Sequence, residues 1–149
     1  MKLFILTLLI ANLLGCASPF SFPTNKLREF TTDGCSMAPN GTLAHPTSLL
    51  KCCVEHDYLY WKGGSADERK QADEDLRSCV SKAETPALGK LYYSAVRVGG
   101  SSVFKTSFHW GYGWTQLRGD KVLTQSEADQ VLEQSKKIDW EQIYQSFKH

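Results

Sequence analysis

Two cysteines stand side by side in this chain, Cys52 and Cys53, and His56-Asp57 follow them closely. Adjacent cysteines do not readily pair with each other, so this one short stretch must be tied to two other parts of the fold. The stretch reads as a helix. Turn signals fill the loop from Asp33 to His45 (Gly34, Pro39, Asn40-Gly41) and end at Pro46; a helical pattern then starts, capped by Thr47 or Ser48, and runs to about Trp61, where Gly63-Gly64 stops it. The chain has five cysteines, and besides Cys52 and Cys53 they are Cys16, Cys35 and Cys79.

The N-terminus accounts for the odd one. Met1-Lys2 gives a positive start, and Leu3–Leu14 is apolar except for Thr7 and Asn12, the length of a signal h-region and too short to span a bilayer. The run ends at Leu13-Leu14-Gly15-Cys16, which resembles a bacterial lipobox. That resemblance implies a signal peptide over residues 1–15, a diacylated Cys16 at the mature N-terminus, and a cell-envelope location. Ala17 in place of Asp implies outer-membrane sorting. The alternative is an ordinary secretory signal with a chance Cys16. Residues 16–32 form the lipidated Cys and a tether rich in Pro, Ser, Thr and Asn, and residues 33–149 form one domain. With Cys16 set aside, four cysteines remain in an oxidising compartment, and they allow three pairings. The formal net charge of +1 and the absence of a basic stripe speak against a nucleic-acid partner. Oligomeric state is left open.

Further helices follow. Ser65 to Glu68 is a capping box opening a helix from about Ala66 to Lys82. Thr85-Pro86 starts a third, with Leu88, Leu91, Tyr92, Ala95 and Val96 at helical spacing, closed by Gly99-Gly100. Phe104–Trp114 is an irregular aromatic segment. Thr124 to Glu127 is another capping box, opening a helix to about Lys136, and Asp139 caps a short last helix with Ile138 and Ile143 as a hydrophobic staple. No alternating strand pattern is present, so the fold class is mainly α.

On the first helix Cys53, His56 and Asp57 lie at i, i+3 and i+4 and share a face, with Tyr60 a turn beyond His56. Adjacent residues on a helix point about 100° apart, so His56 and Asp57 cannot pair with each other. They can serve one pocket in two roles, a base and a carboxylate that holds a cation. The base needs an acid to orient it, and the second helix offers Asp73. A disulfide from that helix to Cys52 or Cys53 sets the helices side by side and lets Asp73 face His56.

The run Cys52-Cys53-Val54-Glu55-His56-Asp57-Tyr58-Leu59-Tyr60 resembles the hallmark of the secreted phospholipase A2 superfamily, Cys-Cys-x-x-His-Asp-x-x-Tyr. Asp33-Gly34-Cys35-Ser36-Met37-Ala38-Pro39-Asn40 is similar to the calcium loop of its compact prokaryotic branch. The resemblance covers residues 33 to 80. It implies two antiparallel helices clamped by disulfides and a calcium loop, to which the caps and spacing above add further C-terminal helices. It implies disulfides Cys35–Cys53 and Cys52–Cys79, and Ca²⁺ held by Asp33, the carbonyl of Gly34 and Asp57. It also implies catalysis by His56 with Asp73, Tyr60 hydrogen-bonded to Asp73, and a phospholipid membrane as partner. The chain departs from the animal enzymes. Only sixteen residues separate His56 from Asp73, leaving no room for a β-wing. The long Gly-rich loop is absent, and Leu59 stands where a Cys is usual.

The chemistry matches the residue types. Water attack on an ester needs a base near neutral pH, which is His56. Ca²⁺ takes oxygen ligands and can stabilise an oxyanion while gripping a phosphate. No Gly-x-Ser-x-Gly occurs, against a serine lipase. Several alternatives stand beside this reading. The Cys pair and His56 could belong to a zinc site completed by Cys35 or Cys79. Tyr60 could simply pack in the core. The aromatic segment Phe104–Trp114 is either satellite core or an interfacial rim, with Lys105, Arg97 and Arg118 reaching anionic head groups. His45, His109 and His149 read as surface or loop residues, Glu55 as solvated face and Glu68 as a cap. On function, the alternative is a non-catalytic lipoprotein that binds lipid or protein on the same scaffold.

Overall fold

The computed structural model describes residues 25–103 and 105–148; the leader, Cys16, Phe104 and His149 lie outside the described residues. Among the described residues five helices follow in order, α1 (Leu50–Lys62), α2 (Ala66–Ala83), α3 (Pro86–Gly99), α4 (Gln125–Ser135) and α5 (Trp140–Ser146). Among the described residues there is no strand, only one isolated antiparallel bridge between Leu27 and Trp114. The fold is mainly α.

α1 is the buried axis, with eight of its thirteen residues inside. Its ends are satisfied by tertiary structure. No side chain caps its start: the N-cap residue is Leu49, not Thr47 or Ser48. The Ser48 hydroxyl is committed to Glu84, and the Leu49 N–H donates instead to the Asn40 carbonyl at 2.8 Å. At the other end the last carbonyls, which a helix cannot satisfy itself, are met by the aromatic segment. Gly111 N–H donates to Tyr60 O at 2.7 Å, Gly113 N–H to Trp61 O at 3.2 Å, and the Trp114 indole to Lys62 O at 2.8 Å. Position 113 has to be glycine, since a Cβ there would lie 2.4 Å from the Trp61 ring and 2.6 Å from its carbonyl oxygen.

α2 starts as its sequence says, with both halves of the Ser65–Glu68 capping box formed, and α3 and α4 start at Thr85 and Thr124 with side-chain caps. α5 is capped by Asp139. Disulfides join Cys35 to Cys53 and Cys52 to Cys79, the pairing the resemblance implies. The contacts Cys52–Cys79 and His56–Asp73 run in opposite directions along α1 and α2, so the two helices are antiparallel. α3 lies on α2 and sets Leu88, Tyr92 and Val96 against the disulfides; Leu91 and Ala95, expected on the same apolar stripe, face outward.

Two apolar clusters flank α1. One holds Cys35, Leu49, Cys52, Cys53, Leu76 and Val80. The other holds Leu27, Tyr60, Trp61, Ala72, Trp110, Tyr112 and Trp114. The second decides between two readings of the aromatic segment and corrects one expectation. Trp110, Tyr112 and Trp114 are core and not a rim, because their rings are buried and each polar edge has a backbone carbonyl to donate to. Residues 25–32, read as the end of a tether, belong to the domain. Leu27 is buried, Arg28 N–H donates to Gly113 O at 2.8 Å, and the Trp61 indole donates to Arg28 O at 2.9 Å. His109 is also buried, its Nδ1 2.6 Å from Thr106 O, whereas His45 is exposed as expected.

Candidate active site

The antiparallel pairing of α1 and α2 brings His56 and Asp73 together: His56 Nε2 lies 2.9 Å from Asp73 Oδ1. The same oxygen accepts from the Tyr60 hydroxyl at 2.7 Å. Tyr60 thus packs in the core and bonds Asp73 as well. Asp73 is fully buried and His56 nearly so. The other carboxylate oxygen, Oδ2, accepts from Arg97 Nη1 at 2.7 Å. Burial alone would raise the pKa of Asp73, but the hydrogen bonds from His56, Tyr60 and Arg97 outweigh it and hold the carboxyl below its ordinary value. The hydrogen bond to Asp73 raises Arg97 in turn, and burial, followed by the charge of Asp73, raises the Tyr60 phenol.

Arg97 was not legible as part of this network. It is an ordinary cation near a helix C-terminus, and only the way α3 lies on α2 delivers it to Asp73. Both it and Arg118 were candidates for head-group contact. Arg118 is buried against Glu127, with Nη2 2.8 Å from its carboxylate. Lys105 is exposed.

Asp57 points the other way around α1, toward the loop. Thr32 Oγ1 donates to its Oδ2 at 2.6 Å and accepts from Gly34 N–H at 3.0 Å, so one hydroxyl ties α1 to the start of the loop. Gly34 has φ +77°, and a Cβ there would lie 2.3 Å from Asn40 Oδ1. Burial is the chief cause that pushes Asp57 up to about 7; the Thr32 bond opposes it, and the charge of Asp33 adds to it. Asp33 itself is exposed and accepts from Ser36 Oγ at 2.7 Å.

The donor set fits a hard cation. The charge of Asp33 reaches Asp57, and both offer oxygen. Among the described residues no three His, Cys, Asp or Glu side chains converge, so a cation here depends on backbone carbonyls such as that of Gly34 and on water. The zinc alternative is corrected: all four candidate thiols are consumed in disulfides.

A groove of about 600 Å³ runs between α1, α2 and α5, and His56 is among its lining residues. Leu59, Ala72, Leu76, Trp140 and Tyr144 make most of its wall apolar. No protein-family model, no curated protein and no solved structure matches this chain.

Proposed function

We propose that the chain is a calcium-dependent hydrolase of phospholipid acyl esters, phospholipase A2-like in fold and chemistry, working at the cell envelope and anchored there through an acylated Cys16. The observation that carries this reading is the His56–Asp73 hydrogen bond of 2.9 Å, set one residue along α1 from the carboxylate Asp57, which Thr32 ties to the backbone of Gly34 and which the charge of Asp33 reaches.

The chain's own groups have clear parts. Asp73 accepts from His56 Nε2, which fixes the tautomer and leaves Nδ1 as the lone-pair nitrogen. Nδ1 takes a proton from water as that water attacks the ester carbon, and Asp73 steadies the imidazolium so formed. His56 then returns the proton to the departing lysolipid oxygen. Tyr60 and Arg97 hold Asp73 so that its position does not change as His56 charges. Asp33, Asp57 and the Gly34 carbonyl would hold Ca²⁺, which when bound polarises the ester carbonyl and grips the phosphate. The groove beside His56 is of a size and polarity that suits an acyl chain.

The test is fatty-acid release from mixed phospholipid vesicles, with Ca²⁺ and with chelator. His56→Gln should lower the rate by roughly 10²–10⁴-fold while leaving fold and Ca²⁺ binding intact. Asp73→Asn should cost less, since it orients and does not itself transfer the proton. Full activity in His56→Gln removes the assignment. A second reading, a non-catalytic lipid binder on this scaffold, is favoured by the burial of His56, which is 7% exposed. Wild type that binds vesicles and releases no fatty acid establishes it.

A further inference from the structure

We infer that two turn tips on the loop after Asp33, carrying Met37 and Leu43, are the surface that dips into a phospholipid bilayer. The inference takes from the preceding reading only that the chain works on lipid.

The two side chains are the most exposed large apolar ones among the described residues, at 107% and 105% of their reference area. Both sit where turn chemistry asks for something else. The first turn closes with Ala38 N–H donating to Cys35 O at 3.0 Å, and its third residue, Met37, has φ +57°. Gly or Asn ordinarily fills that position, and Met37 is the only non-glycine residue with positive φ among the described residues. The second is the bend between Thr42 and His45, whose backbones exchange hydrogen bonds of 3.0 and 3.1 Å around Leu43 and Ala44. Such positions favour Gly, Asn, Asp or Ser. Each tip therefore carries an apolar residue that local conformation disfavours and that touches nothing in the domain.

The stretch that carries both tips is braced. Asn40, between the two turns, ties it to the first turn and to the start of α1, its side-chain oxygen accepting from Cys35 N–H at 2.8 Å and its carbonyl from Leu49 N–H at 2.8 Å. The Cys35–Cys53 disulfide fixes the base of the loop to α1, and the Tyr92 hydroxyl donates to Pro39 O at 3.1 Å. Apolar side chains on a braced loop cannot fold away from water.

Charge selects the occupant. From Gly34 to Leu50 there is no Asp, Glu, Lys or Arg, in a chain that is 22% charged. A surface meant for a protein partner ordinarily has a charged or polar rim, whereas charges are costly in the acyl region of a membrane. An uncharged stretch with two apolar tips suits a zwitterionic bilayer, and the contact should be insensitive to salt. It also sets the candidate cation loop, which begins at Asp33, against the head groups.

The test places a fluorescent reporter at a tip. The full chain is bound to vesicles of ether-linked phosphatidylcholine carrying bromines on the alkyl chains, so that no ester can be cleaved. The Leu43→Trp variant should lose at least roughly half of its added indole emission to the bromines, as a residue at membrane depth does. The Leu132→Trp variant, exposed on α4, should lose none beyond the background of the native tryptophans. Adding Met37→Asn to the Leu43→Trp chain should weaken the quench. Because Asn is at home at positive φ, that substitution should leave the thermal midpoint unchanged or higher, which separates lost binding from lost folding. Equal quenching at 43 and 132, or none at 43, overturns the inference. So does a concentration-dependent dimer that Leu43→Asn dissolves, since a second copy then covers the tips. Hydrolysis of a monomeric short-chain phospholipid by the Met37→Asn variant tests the catalytic reading separately.

Discussion

The two clusters beside α1 hold the same helix by different means. On one side, sulfur bridges and aliphatic side chains clamp α1 to α2 and to the loop. On the other, three indoles and a phenol are buried in one cluster and each donates a hydrogen bond to a backbone carbonyl, from Trp61 to Arg28, Trp110 to Gly64, Trp114 to Lys62 and Tyr112 to Thr31. The clamp fixes which residues of α1 and α2 face each other, and so sets His56 against Asp73. The aromatic side fixes where α1 ends, and so holds Tyr60. The site lies between a covalent constraint and a packed one, and the two should fail differently.

The largest effect should come from the packed side. Trp61→Ala removes a fully buried ring together with its bond to Arg28 O, and should cost about 3–5 kcal/mol in urea unfolding. Removing the Cys52–Cys79 bridge with paired alanines should cost about 2–4 kcal/mol, part of it through a less restricted unfolded chain. If the bridge mattered more than the ring, the comparison would be reversed.

The two buried carboxylates near the site should respond to pH with opposite signs. Asp57 is raised to about 7, above its unfolded value. Its contribution is therefore favourable below the ordinary carboxylate range and is lost as pH rises toward 7. At about pH 8 in chelator, Asp57→Asn should be more stable than wild type by on the order of 1–3 kcal/mol. Adding Ca²⁺ should stabilise wild type and reverse the order. Asp73 is lowered, so its contribution is present above the unfolded value and lost as pH falls through the folded one. Asp73→Asn should thus destabilise the domain at neutral pH, and the difference should shrink in acid. Unfolding curves across pH check both signs. The smallest effect should be Trp114→Phe, which keeps most of the packing but leaves Lys62 O without its donor, at about 1–2 kcal/mol.

The clamped side was the legible one. Cysteine adjacency, helical spacing and two capping boxes are local patterns, and local patterns survive into structure. The aromatic segment has no period to read, because its rings are placed by hydrogen bonds to carbonyls far away in the chain. Residues 25–32 looked like a tether for the same reason: Leu27, Arg28 and Phe30 acquire their partners only in three dimensions. Arg97 and Thr32 hold the two carboxylates of the site, and neither sits in a motif. Cap residues at α1 misled in the opposite direction, since Ser48 had a tertiary partner in Glu84 that outbid the helix end.

The strand-like segment at Leu27 and Arg28 has a consequence for the order of assembly. The disulfides close spans of 18 and 27 residues, whereas Arg28 reaches carbonyls 84 to 86 residues further along, and Leu27 N–H reaches Gln130 across 103. Longer closures cost more chain entropy and come later. The part of the domain made first is thus among the last to dock. A nascent chain that stops short of Trp110 can already bring His56 and Asp73 into register, yet the carbonyls of Trp61 and Lys62 wait for their donors on Gly113 and Trp114 until the aromatic segment arrives.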